Sequence, residues 1–127
     1  MDPLVNALNT IMSHEGRRKT ECIITPASGL AGRVLRLIQG KGYVGEIEFI
    51  DDGRQGKLRV QLFGRINKCR AVTPRFKTKV SEMEKWEKRY LPSRNLGILI
   101  LSTPKGVMDH TQAKEENVGG VLLAYMY

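Results

Sequence analysis

At 127 residues the chain can bury one core or two small ones, and it is too short for a large multidomain enzyme. Its 41% hydrophobic and 27% charged residues exclude extensive disorder, and no run approaches the ~18 apolar residues that cross a bilayer. A net charge of +8 favours an anionic partner. The N-terminal MDPLVNALN has no charged segment leading into an apolar one, so a soluble, unexported, cytoplasmic protein with no membrane partner is expected. Cys22 and Cys69 are far apart and outside any C-x-x-C pair, which argues for reduced thiols and against a zinc site or disulfide framework.

Asp2 and Pro3 suit the N-cap and N1 positions of a first helix, and Leu4, Leu8, Ile11 and Met12 give it an apolar face to about Ser13. The turn-like HEGRRK leads into a short strand around Cys22 and Ile24. Ser28 then caps a second helix whose stripe is read as Leu30, Val34, Leu37 and Ile38, ended by Gly40-Lys41-Gly42. Ile47 and Phe49 alternate with Glu46 and Glu48, and Leu58, Val60 and Leu62 with Lys57, Arg59 and Gln61, as in two strands joined at Asp52-Gly53. A strand near 68–72, stopped by Pro74, closes this first unit. The weakened pattern at 73–79 marks the link to a second.

In the second unit Ser81 and Glu84 have capping-box spacing, and Met83, Trp86 and Tyr90 share one helical face that Pro92 ends. A strand at 96–101, the loop 102–106, a helix at about 110–117, the stop Gly119-Gly120 and a final strand VLLAYMY follow. The fold class is α+β in two small subdomains: an N-terminal α-β-α-β-β(-β) unit, residues 1–76, and a C-terminal, mostly β unit with short helices, residues 77–127.

The segment LGILILSTPKG concentrates the chemistry. A buried-type strand breaks into Ser102, Thr103, Pro104, Lys105 and Gly106, and Asp109 with Gln112 has the spacing of a helix start, whose free N–H groups favour anions. Together these look suited to phosphate. One alternative is a small phosphate- or nucleotide-handling enzyme built on this loop. Against it, Lys105 precedes Gly106, so the triphosphatase pattern is broken. His14 and His110 give no triad by spacing, and His14-Glu15 lacks the second His of a zinc-protease motif. His110 is read as part of a helix's first turn. Neither metal nor cofactor is implied.

Between Gly53 and Ser81 there is no acidic residue, while Arg54, Lys57, Arg59, Arg65, Lys68, Arg70, Arg75, Lys77 and Lys79 supply nine cations. Aromatics make up only 6%, with Phe49 and Phe63 read as sheet residues and Trp86 and Tyr90 as helix-packing residues. A folded RNA recognised by shape and backbone fits this composition better than an extended single strand.

Five segments in order resemble one family, small-subunit ribosomal protein eight in its archaeal and eukaryotic form: DPLVNALN at 2–9, GYVGEIEFIDDGRQGK at 42–57, GRINKCRAVTPRF at 64–76, EKWEKRYLPSRNLGILILST at 84–103 and KGVMDH at 105–110. GRINKC…PRF and LPSR look specific to that branch, and with the terminal AYMY they suggest an archaeal source. The resemblance implies a primary rRNA-binding protein without catalytic activity. It would bind an irregular helix in the central domain of small-subunit rRNA, act early in subunit assembly, and sit among neighbouring small-subunit proteins on the ribosome. The protein's own messenger RNA is a further candidate partner.

Carried to matching positions, the resemblance assigns RNA contact to Ser102, Thr103, Pro104, Lys105 and Gly106. Gly119 and Gly120 would shape that surface, and Asn6 and Asn9 would face a second rRNA element. Pro104 replaces the Ser of many bacterial members and Val121 their usual Glu, so those two contacts do not transfer. The insertion at 83–88 has no good bacterial counterpart.

Overall fold

The computed structural model describes residues 2–93 and 96–127; Met1, and Arg94 and Asn95 of the LPSRN segment, lie outside the described residues. The chain divides into two compact units, Met1–Asn67 and Lys68–Tyr127, each holding one antiparallel sheet.

The first unit runs α1 (Pro3–Gly16), β1 (Glu21–Ile24), α2 (Gly29–Gly40), β2 (Val44–Ile50) and β3 (Lys57–Leu62), with strand order β1-β3-β2. Asp2 caps α1 as its sequence suggests, its Oδ1 accepting from the Leu4 amide at 2.9 Å. The helix continues beyond Ser13 to Gly16. It stops where Arg18 takes φ +58° and the Lys19 amide turns back to the His14 carbonyl at 2.9 Å. Leu4, Ala7, Leu8 and Ile11 form its buried face.

Ser28 caps α2, accepting from the Ala31 amide at 3.1 Å. The buried stripe, however, is Ala31, Val34, Leu35 and Ile38, with Leu30 and Leu37 at its half-buried margins. Both sets obey helical spacing. The small Ala31 weighs little in a hydrophobicity pattern, yet it lets the helix approach the sheet closely, and this turns the face by one position. Gly32 sits inside this helix, and a Cβ there would meet nothing within 4 Å. Gly32→Ala is therefore expected to stabilise the fold by about 0.5–1 kcal/mol through lost unfolded-state freedom, read as a raised midpoint in thermal melting.

Leu58, Val60 and Leu62 of β3 point inward as their alternation predicts. On the outer face Arg59 lies between Glu21 at 3.7 Å and Glu48 at 3.8 Å. Phe49 departs from expectation: it is 60% exposed although it pairs with buried Leu58. Strand β2 lies at the sheet edge, and its register shifts between Val44 and Ile47, so its last turn-ward side chains border a groove beside α2.

The second unit runs β4 (Cys69–Thr78), a single 3-10 turn (Val80–Glu82), α3 (Met83–Tyr90), β5 (Ile98–Thr103), β6 (Gly106–Asp109), α4 (His110–Glu116) and β7 (Gly120–Met126), in the order β4-β7-β5-β6. The strand expected to close the first unit thus belongs here, and it runs past Pro74. Proline lacks a ladder donor, but β4 is an edge strand and the pairing to β7 shifts register between Ala71 and Phe76. That absorbs the missing N–H without ending the strand. The predicted 81–84 capping box moves to Lys79 and Glu82, where Glu82 Oε1 accepts the Lys79 amide at 3.0 Å.

Val72, Met83, Leu91, Leu99, Leu101, Met108, Ala113, Leu122 and Tyr125 form the core of this unit. Trp86 and Tyr90 pack against it, matching the face predicted for the helix.

Candidate nucleic-acid interface

Residues 102–106 form a two-residue hairpin. Thr103 pairs with Gly106 across β5 and β6, leaving Pro104 and Lys105 at the tip. Two hydrogen bonds shape the turn: Thr103 Oγ1 donates to the Gly106 carbonyl at 2.8 Å and accepts from the Lys105 amide at 3.2 Å. Gly106 has φ +121°, a conformation that a side chain would strain. The hydroxyl of buried Thr103 is therefore consumed within the turn, while Pro104, Lys105 and Gly106 are exposed and Ser102 is half-buried. Lys105 is not an isolated cation, since its Nζ lies 3.0 Å from Glu116 Oε2.

The sequence places a helix start at Asp109, shortly after this loop. The structure inserts β6 between them, a strand invisible to periodicity because it is only the four residues GVMD. At about 3.3 Å per residue it carries the start of α4 roughly 10–13 Å away from the turn. The predicted cap is present there, with Asp109 Oδ1 accepting from the Gln112 amide at 3.3 Å. A buried carboxylate thus fills the end of α4 that was expected to attract an anion.

Gly119 and Gly120 are placed by close backbone approach. A Cβ on Gly120 would run into the Ser102 carbonyl, with Thr103 Cγ2 at 3.0 Å, and one on Gly119 would lie 2.6 Å from the Thr78 carbonyl. The pair therefore brings β7 tightly between β4 and β5. Register then sets Lys77, Val121, Ser102 and Val107 in one cross-strand row on one face of the sheet. Directly opposite residues in an antiparallel ladder share a face, so an exposed cation on β4 joins Ser102. In the sequence Lys77 stands out only as one of a basic run, because its pairing depends on the register shift around Pro74.

His110 opens the first turn of α4 as its sequence suggests, and its side chain is further constrained. Its side chain is buried, Nδ1 accepts from the Leu99 amide at 3.0 Å, and Nε2 lies 2.8 Å from Glu87 Oε1. Lys114 Nζ reaches the other Glu87 oxygen at 2.7 Å. Accepting at Nδ1 requires the neutral ring with its proton on Nε2. Burial pushes the His110 pKa down, opposed by the attraction of Glu87 and Asp109. The arrangement ties α3 and α4 to β5.

Asn6 and Asn9 lie in the other unit, on α1 and one turn apart, Asn6 half-buried and Asn9 exposed. The acid-free tract is also divided, with Arg54, Lys57, Arg59 and Arg65 in the first unit and Lys68, Arg70, Arg75, Lys77 and Lys79 in the second. Arg59 is offset by its two glutamates. Arg65 is committed to its own unit, donating to the Gly42 carbonyl at 3.0 Å and lying 4.9 Å above the Phe63 ring.

Residues 2–127 match the family described as Ribosomal protein S8. The chain belongs to the ribosomal protein S8 family. A curated relative, the small ribosomal subunit protein uS8 of Methanococcoides burtonii, is 50% identical over 127 residues, covering 100% of this chain and 98% of the relative. The resemblance noted from five segments thus extends across both units. As an S8-family protein the chain is a component of the small ribosomal subunit, and the family is not one of enzymes. The hairpin, the glycine pair and the Lys77 row all lie within the matched region.

Proposed function

We propose that the protein is a primary rRNA-binding protein that grips an irregular helix in the central domain of small-subunit rRNA and helps assemble the subunit. The second unit carries the main contact through the hairpin. The α1 surface with Asn6 and Asn9 meets a second rRNA element, and neighbouring small-subunit proteins pack nearby. Its own messenger RNA is a further ligand to the extent that it copies the rRNA site. The observation that carries this reading is a pre-shaped hairpin: Thr103 locks the turn from within, so Ser102, Pro104 and Lys105 meet RNA without ordering on binding. Rigid presentation lowers the entropic cost of association, and short polar side chains with close backbone suit contact to a sugar-phosphate edge.

What counts against the alternative of a phosphate-handling enzyme is that both ring nitrogens of His110 are engaged, one by the Leu99 amide and one by Glu87. Ser102→Ala combined with Lys105→Glu is expected to weaken binding to a central-domain rRNA fragment by about 1–3 kcal/mol, a factor of roughly 5 to 150. Filter binding at matched salt, with a phosphate-release assay alongside, checks it. Equal affinity of parent and variant, or turnover by the parent, would overturn the assignment.

A further inference from the structure

Beside α2 runs a groove whose chemistry the hairpin does not use. Its floor is Ile47 and Leu58, one wall is the start of α2 with Gly29, Gly32, Arg33 and Arg36, and the other wall is Phe49. None of the residues lining it is acidic. Neither Arg33 nor Arg36 has an ion-pair partner among the described residues, and both are exposed. Two unopposed guanidinium groups beside apolar surface give the groove a positive field that attracts an anion.

Phe49 supplies the second half. Its 60% exposure leaves much of an aromatic side chain in water, which costs the fold hydrophobic stabilisation. The ring is nonetheless held: a Cβ on Gly56, which has φ +91°, would overlap it, so the ring rests against the glycine backbone. Opposite, Cβ atoms at Gly29 and Gly32 would meet nothing within 4 Å, so the helix wall stands clear of the ring. A fixed ring across from two arginines matches the needs of a nucleotide, which offers a flat base to stack and a phosphate to pair.

We infer that this groove binds an unpaired nucleotide of RNA, its base stacked on Phe49 and its flanking phosphates paired with Arg33 and Arg36. The inference rests on the RNA-binding reading above but names a separate site, in the other unit. An acidic protein segment is the competing occupant. It would use the arginines equally well, but it would gain nothing specific from the ring.

The test is made in the full chain carrying Ser102→Ala and Lys105→Glu, so that the groove is read with the hairpin weakened. Two probes are compared, a short RNA duplex with one bulged adenosine and the same duplex fully paired. The expected result is about tenfold tighter binding of the bulged RNA, with amide shifts at Gly29 and Gly32. Phe49→Ala should abolish that preference, and Arg33→Glu with Arg36→Glu should weaken both probes by about tenfold or more. All three positions are exposed, so unchanged melting curves would exclude misfolding. Equal binding of the two duplexes, or indifference of the bulge preference to Phe49→Ala, would overturn the site. None of these outcomes bears on the hairpin, whose failure would show instead as undiminished rRNA binding by the hairpin variant.

Discussion

Gly120→Ala is expected to destabilise the second unit by about 1–3 kcal/mol and to weaken rRNA binding as well. The reason is steric, because the added carbon would meet the Ser102 carbonyl and carbon and Thr103 Cγ2, and two of those three are backbone atoms that no rotamer change can move. Either β7 withdraws from β5 or the Ser102–Thr103 segment shifts, and both movements disturb the row of Lys77, Val121, Ser102 and Val107. For a unit of this size each kcal/mol lowers the melting midpoint by roughly 4–8 °C. Gly16→Ala is the control: it ends α1, nothing lies within 4 Å of a Cβ there, and its effect should stay within about 0.5 kcal/mol. Comparable melting midpoints for the two variants would mean that β7 and β5 are not so closely apposed.

The second large effect is expected from His110→Phe. It leaves the buried Leu99 amide without its acceptor and removes one of the two donors to Glu87. The unpaired buried amide costs about 1–3 kcal/mol, so a loss of about that size is expected by denaturant titration, while Glu87 keeps Lys114.

The pH dependence gives an independent check. His110 is neutral in the fold with its pKa lowered from 6.5, so near that pH the unfolded chain binds more protons than the folded one. Its contribution is therefore complete above the unfolded pKa and falls away as pH drops below it, until the folded group also protonates. The stability gap between parent and His110→Phe should narrow as pH falls from about 7 to about 5. A gap that widens over that range would mean a charged His110 paired with Glu87, contrary to its Nδ1 accepting from Leu99.

Local chemistry was legible where it needs only neighbours in sequence. Asp2, Ser28 and Asp109 cap the helices that their spacing predicts, because an N-cap hydrogen bond closes over two or three residues. The alternation of Leu58, Val60 and Leu62 likewise reports its own buried face. On α2 the hydrophobic pattern favours Leu30 and Leu37 where the buried face takes Ala31 and Leu35, because Ala31 is too small to weigh as hydrophobic although it is completely buried. The strand at Pro74 was cut short for a related reason. Proline ends a strand only where a partner needs its N–H, and which edge of β4 is paired is a property of β7, more than forty residues on.

The candidate site shows the same division. Ser102, Lys105, Gly106 and the glycine pair could be named from their segments, and family resemblance gave them a partner. Which hydroxyl turns inward, that Lys105 is tied to Glu116, and that Lys77 shares a row with Ser102 all depend on cross-strand register. The sequence by itself determined the helix caps, the alternating strands, the basic balance and the family. Tertiary structure alone decided that the loop is a hairpin separated from its helix, that Phe49 stays exposed beside two arginines, and that His110 is locked. Caps and alternation arise from bonds and faces within a few residues, whereas register and close approach arise from where distant strands meet.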